Sequence, residues 1–123
     1  MKELTKVEEQ IMQILWQLEK GFVNDIIKEL PEPKPAYSTV STIVRILANK
    51  GFVAHRVYGN THEYFPLISK ESYKKRSLNK LVNNYFDNSY KNLVSFFAQD
   101  DKISEEELKE MKKMIEDELK NKK

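Results

Sequence analysis

Residues 38–66 read STVSTIVRILANKGFVAHRVYGNTHEYFP, and the hydrophobic period changes once along them. Over about 38–50 it is helical: at roughly 100° per residue, Val40, Ile43, Val44 and Leu47 fall on one stripe. Ser38, Ser41, Thr42, Arg45 and Asn49 fall on the opposite face, which carries no acid. Gly51 stops this helix. Beyond it the period is 2. Residues 52–58 and 61–66 are rich in aromatic and β-branched side chains and flank Gly59-Asn60, a two-residue hairpin turn.

Upstream, Thr5 and Glu8 have the spacing of a capping box, followed by apolar residues at Val7, Ile11, Ile14, Leu15 and Leu18. Trp16 flanks that face, and Gly21 is expected to supply a left-handed stop. A second, shorter helix fits residues 24–30, with Ile26, Ile27 and Leu30 apolar; Pro31, Pro33 and Pro35 end it. Three helices followed by a hairpin is the order of a winged helix-turn-helix, predicted over residues 1–68. Downstream, residues 69–123 read as three more helices: about 70–86, about 89–98, and one opened by Ser104 with a capping box to Glu107. The expected fold class is mainly α with a small β-hairpin wing.

The downstream region holds five aromatics between Tyr85 and Phe97. A module of about fifty residues seldom buries so much apolar area alone. A twofold partner is the economical solution, with two copies sharing a core built from Leu81, Tyr85, Phe86, Leu93, Phe96, Phe97, Leu108, Met111 and Ile115. The alternative folds the tail back onto the winged module as a monomer.

Composition narrows the function. The chain has 123 residues, 40% hydrophobic, 33% charged and 11% aromatic, which suits a folded domain rather than a disordered polyelectrolyte. With no cysteine, a disulfide scaffold, a cysteine nucleophile and a cysteine-based metal site are excluded. No apolar run approaches the roughly 20 residues of a membrane span, so no membrane insertion is expected. The start, Met1-Lys2-Glu3-Leu4-Thr5, lacks the apolar stretch of a signal peptide, which makes the cytoplasm the expected location. Net charge is only +2, yet the 19 acids avoid residues 33–62 entirely, where Lys34, Arg45, Lys50 and Arg56 lie. An acid-free basic window suits an anionic partner.

In a helix-turn-helix, the second helix of the motif reads the major groove. Here Ser38, Thr39, Ser41, Thr42, Arg45 and Asn49 would face the bases. The short hydroxyls admit the helix deeply, and Arg45 offers a planar fork for guanine. Thr39 lies off the outward centre and equally suits packing; Ser38 is expected to cap the helix as well. Lys34, His55, Arg56 and Asn60 would hold phosphates and fix register. His55 and His62 lie on the two hairpin arms without a third ligand, so no metal site is expected. No phosphate loop, nucleophile elbow or helical zinc motif is present, and neither an enzyme nor a cofactor is expected. The alternative is a winged protein-docking module that does not touch DNA.

These residues together resemble the penicillinase-repressor family, the BlaI/MecI/CopY type. Leu4-Thr5, Glu8 and Ile11-Met12-Gln13-Ile14-Leu15-Trp16 look like its first helix, and Tyr37-Ser38-Thr39-Val40-Ser41-Thr42 is similar to the start of its recognition helix. Lys50-Gly51-Phe52-Val53 and Glu63-Tyr64-Phe65-Pro66-Leu67 match the residues that lead into and out of its wing. The resemblance spans essentially the whole chain. It implies a homodimeric bacterial repressor, a palindromic double-stranded operator and a helical dimerisation domain. It also implies inactivation by a membrane sensor metalloprotease that cuts within that domain. The copper-responsive branch carries a C-terminal cysteine cluster, absent here. The β-lactam branch is typically cut at an Asn-Phe pair, where this chain has Phe96-Phe97.

Overall fold

The computed structural model describes residues 3–122. The elements follow in the order α1 (Lys6–Leu18), α2 (Val23–Glu29), α3 (Tyr37–Asn49), β1 (Val53–Tyr58), β2 (Thr61–Pro66), α4 (Lys70–Tyr85), α5 (Tyr90–Ala98) and α6 (Glu105–Asn121). Among the described residues, six helices and one antiparallel hairpin give the mainly α, winged architecture expected from the sequence. Two compact units are present, residues 1–75 and residues 76–123, with the division falling inside α4.

The first unit has one apolar core. Ile11, Met12 and Leu15 of α1, Ile26 of α2, and Val40, Val44 and Leu47 of α3 are all buried in it, closed by Phe52, Val53 and Tyr64. The capping box of α1 forms as expected: Thr5 Oγ1 accepts the Glu8 amide at 3.2 Å, and Glu8 Oε1 accepts the Thr5 amide at 2.9 Å. Val7, expected on the core face, is exposed. Glu8 takes the core-side position of that turn and Met12 the next, which rotates Val7 outward.

Gly21 does not stop α1. Glu19 does so, at φ 71, while Gly21 pairs with Tyr64 through bonds of 2.9 and 2.8 Å. The chain leaving α1 must become extended to join the hairpin as a one-residue third strand, so the left-handed turn comes two residues early. α2 opens with the Asp25 carboxylate accepting the Phe22 amide at 2.9 Å. The hairpin register runs from Val53 opposite Pro66 to Tyr58 opposite Thr61. Gly59 alone of the two turn residues takes a positive φ, 59°, as the first central position of a II′ turn requires. Below the hairpin, the Trp16 indole donates to Ile68 O at 2.8 Å. Tyr73, in the first turn of α4, packs its ring 5.5 Å from Trp16 and 6.0 Å from Phe52 and donates its hydroxyl to Glu9 at 2.9 Å.

The second unit is built differently. Its helices are well capped: Ser89 Oγ accepts the Asn92 amide and Ser104 Oγ the Glu107 amide, each at 3.1 Å. Asp87 and Asn88 turn the chain between α4 and α5 at φ 51 and 60. Among the described residues of this unit, Val82 alone is buried. Phe86 and Phe96 meet edge to face at 5.5 Å.

α3 ends at Gly51, whose φ is +85 and whose missing Cβ would meet nothing within 4 Å. Gly51→Ala should therefore destabilise the first unit by about 1–2 kcal/mol through backbone strain alone. Gly51→Asn should recover part of that loss. Urea unfolding midpoints test this, and an unchanged midpoint for the alanine variant would show that the turn tolerates a side chain.

Candidate nucleic-acid interface

The site starts from the two faces of α3. Val40, Val44 and Leu47 are fully inside the core, and Ile43 is half-buried beside them. The far side carries Ser38, Thr39, Thr42, Arg45 and Asn49, all exposed, with Ser41 half-buried at its edge. Burying one stripe of a helix against a core leaves the opposite stripe in solvent by geometry alone. The structure thus gathers these side chains on one uncovered surface. Thr42 donates its hydroxyl to Ser38 O at 2.9 Å, and Arg45 Nε donates to Ser41 O at 3.4 Å, leaving the rest of the guanidinium fork projecting. Among the described residues, Arg45 has no carboxylate partner.

Ser38 does not cap α3. Ala36 occupies that position without a side-chain bond and Ser38 lies inside the first turn. The helix begins directly after Pro35-Ala36, two residues earlier than a Ser38 cap would set it. The Ala36 carbonyl takes the Thr39 and Val40 amides at 3.1 and 3.2 Å. With no side chain closing it, this helix end presents free amide donors.

Two exposed side chains on α3 were not among the expected DNA contacts. Tyr37 is 51% exposed at the first position, and Ile46 is 38% exposed between Arg45 and Asn49. The signal for Ile46 was present: it lies about 100° off the Val40–Val44–Leu47 stripe, yet is apolar.

The basic window is less uniform than its composition suggests. Lys34 turns its ammonium back onto the end of α2, donating to Lys28 O at 2.9 Å and to Leu30 O at 2.6 Å. His55 and His62 stack as parallel rings, 4.1 Å apart, on the hairpin face that also carries Tyr64. Arg56 points to the opposite face, over the Phe65 ring at 5.6 Å. Asn60 sits at the turn. The wing therefore divides His55 and Arg56 between its two faces. Burial pushes the Tyr64 phenol above its usual range, while the Arg45 guanidinium, near enough to act on it, pulls the other way. Among the described residues, no group of three His, Cys, Asp or Glu side chains could hold a metal ion, and no helix is long and apolar enough to cross a membrane.

In the second unit, none of the nine residues expected at a self-association surface is buried. Tyr85 and Phe96 are 76% and 69% exposed, with Leu81 and Ile115 also open to solvent. Phe86, Leu93, Phe97, Leu108 and Met111 are half-buried. Leu81, Tyr85, Phe86 and Phe96 line an open groove of about 640 Å³ together with Asn92, Ser95 and Gln99. Phe96 and Phe97 occupy the last turn of α5.

Comparison with known proteins places this geometry. The sequence profile described as "Penicillinase repressor" matches residues 4–117. The chain is 23% identical to the methicillin resistance regulatory protein MecI of Staphylococcus aureus (strain N315) over 114 residues, covering 92% of this chain and 93% of that one. It is 25% identical to the penicillinase repressor of Bacillus licheniformis over 122 residues, covering 98% and 95%. Among solved structures, the DNA-binding domain of the repressor BlaI matches with a TM-score of 0.50 and 27% identity, over 59% of this chain and 94% of that one.

The position of Lys34 generates a test. A cation on the last carbonyls of a helix opposes its dipole, so Lys34→Ala should cost about 0.3–1 kcal/mol of stability at low ionic strength, and less in high salt. Urea midpoints at two salt concentrations check this; equal midpoints for wild type and variant in low salt would show that the bonds to α2 carry no weight.

Proposed function

The chain belongs to the penicillinase repressor family, a family of DNA-binding repressors rather than enzymes, and we propose that it represses transcription as a homodimer on a palindromic operator. Each protomer lays α3 in a major groove, with the half-sites about 10–10.5 bp or a multiple of that apart. One observation carries this reading: the outward face of α3 is uncovered, free of acids, and centred on an arginine that lacks a carboxylate partner among the described residues. Ser38, Thr39, Ser41, Thr42, Arg45 and Asn49 read base edges. The uncapped start of α3 offers amides to phosphate. His55, Arg56 and Asn60 meet the backbone on either side of the wing, and Lys34 adds its charge from the end of α2. Double-stranded DNA is the partner, in the cytoplasm.

The tail supplies the second half of the proposal. Large exposed apolar side chains on a unit whose described residues bury Val82 alone are best explained by a second copy covering them. Leu81, Tyr85, Phe86, Leu93, Phe96, Phe97, Leu108, Met111 and Ile115 form that shared core. Repression then ends by loss of the dimer. A sensor metalloprotease cutting at Phe96–Phe97 would achieve this, and the exposure of Phe96 supports that site. Because the bond lies in the last turn of α5, cutting requires that turn to open first.

Arg45→Ala should weaken binding to the DNA upstream of the chain's own coding region by about 1–3 kcal/mol and relax sequence preference. Fluorescence anisotropy on that duplex and on a scrambled one measures both; equal losses on the two would reduce Arg45 to a phosphate contact. Leu93→Ala should move sedimentation toward monomer and weaken operator binding through lost avidity. A dimer that persists would place the interface away from α5.

A further inference from the structure

Among the described residues, Glu8 is the only charged side chain buried in the molecule, at 5% exposure. Its Oε1 lies 2.6 Å from Lys50 Nζ, and the same ammonium donates to Glu3 O at 3.0 Å. Burial alone would raise the Glu8 carboxyl; the Lys50 ammonium and the Thr5 amide outweigh it and hold the group ionised, below its ordinary range. Lys50 is the C-cap of α3. Among the described residues, the side-chain bonds of α3 itself are internal, from Thr42 to Ser38 and from Arg45 to Ser41. The start of the helix has no side-chain cap. The apolar stripe decides which side of α3 faces the core, but apolar attraction is non-directional and leaves the fine setting of rotation and axial position to directional contacts. The tether at Lys50 is directional, and it ends on the capping box of α1.

We infer that the Glu8–Lys50 pair is a positioning device for DNA reading: it fixes the rotation and axial setting of α3, and so the place of Arg45 and Asn49 in the groove. This rests on the reading of α3 as the DNA-contacting helix. Recognition of this kind needs side chains held within about 0.5 Å and 10–20° of their working geometry by neighbours that are themselves locked. Lys50 acts from behind, with its ammonium turned toward α1 and away from the reading face. Its role differs from that of Arg45, which would touch the bases.

The test uses the full-length protein, a duplex enriched from a random-sequence library by the wild type, and a scrambled duplex of equal length. Three disruptive variants are compared, E8Q, K50M and the double variant E8Q/K50M, with K50R as the conservative control. Removing one partner leaves a buried charge unpaired and can unfold the unit, whereas replacing both partners is often neutral for stability. The double variant, with its melting temperature recorded, therefore separates positioning from folding. We expect all variants that fold to lose about tenfold in the ratio of enriched to scrambled affinity. Scrambled binding and the salt slope should stay at wild-type values, and K50R should restore the ratio. A double variant that folds and keeps the wild-type ratio overturns the inference. So does K50M if it lowers the salt slope by about 0.9, because Lys50 would then be a phosphate contact. Equal weakening on both duplexes overturns it too. A wild type that enriches no duplex overturns the DNA reading itself, which is a separate failure.

Discussion

Val40, Val44 and Leu47 packed against α1 and α2 are the constraint on which the rest depends. Each fully buried aliphatic side chain contributes about 1.5–3 kcal/mol of transfer free energy. Three on one stripe decide which side of α3 faces inward, and the polar side chains have no choice about where they end up. The core is one layer deep, so the helix that closes it is also surface. Nothing in the first unit folds back over Ser38, Thr42 or Arg45, which are all exposed. A helix so placed has a buried side that determines stability and an open side that is free to vary. That division lets one fold carry many sequence preferences without losing its core.

Much of this was legible in the sequence because it is local. The capping box of Thr5 and Glu8, the period of α3, the stop at Gly51 and the turn at Gly59-Asn60 all depend on neighbours within five residues, and all appear in the structure. The readings that failed depended on distant partners or on a fine balance. Gly21 looked like a helix stop because a glycine after an amphipathic run usually is one. Its pairing with Tyr64 is a single bridge, too short to leave a period of 2. Ser38 looked like a cap because serine is a good one, but the chain enters the helix at Ala36 and passes it by. Lys34 is a different case: it keeps its place among the proposed phosphate-binding cations, but charge alone says nothing of its contacts in the fold. Composition cannot show that its ammonium turns onto Lys28 and Leu30 carbonyls. The Glu8–Lys50 pair spans 42 residues and was invisible for the same reason. Glu8 could be seen as half of a capping box; its second role required the fold.

The histidines show how placement can be legible in a sequence while packing is not. Their placement on two hairpin arms was plain from the alternation, but not the parallel stacking at 4.1 Å against Tyr64. Rings packed face to face direct their nitrogens outward around the edge and not toward a shared point. The arrangement serves packing along the strand pair, where cross-strand aromatic contacts typically add about 0.2–1 kcal/mol. It also leaves both histidines exposed at the surface. The opposite hairpin face, with Arg56 over Phe65, offers a cation on an apolar base. In the proposed complex the two faces would meet different stretches of backbone, the histidine face on one side and the Arg56 face on the other.

The second unit follows from an absence of core. Its helices are capped and turned by local signals: Ser89, Ser104 and the left-handed pair Asp87-Asn88. Such signals specify helices but add only about 1 kcal/mol each. Helices of this length need an apolar face to be buried before they are stable, and within this unit the described residues bury Val82 alone. If a second copy supplies the missing cover, folding of the tail and association of the protomers become one equilibrium, set by concentration as much as by sequence. Control over repression then does not require a ligand pocket on the DNA-binding unit. In such a dimer, a change that opens one turn of α5 would remove apolar cover from both protomers at once, because a twofold interface uses each residue twice. Each winged unit would be left with an intact reading face and the weak affinity of a single half-site.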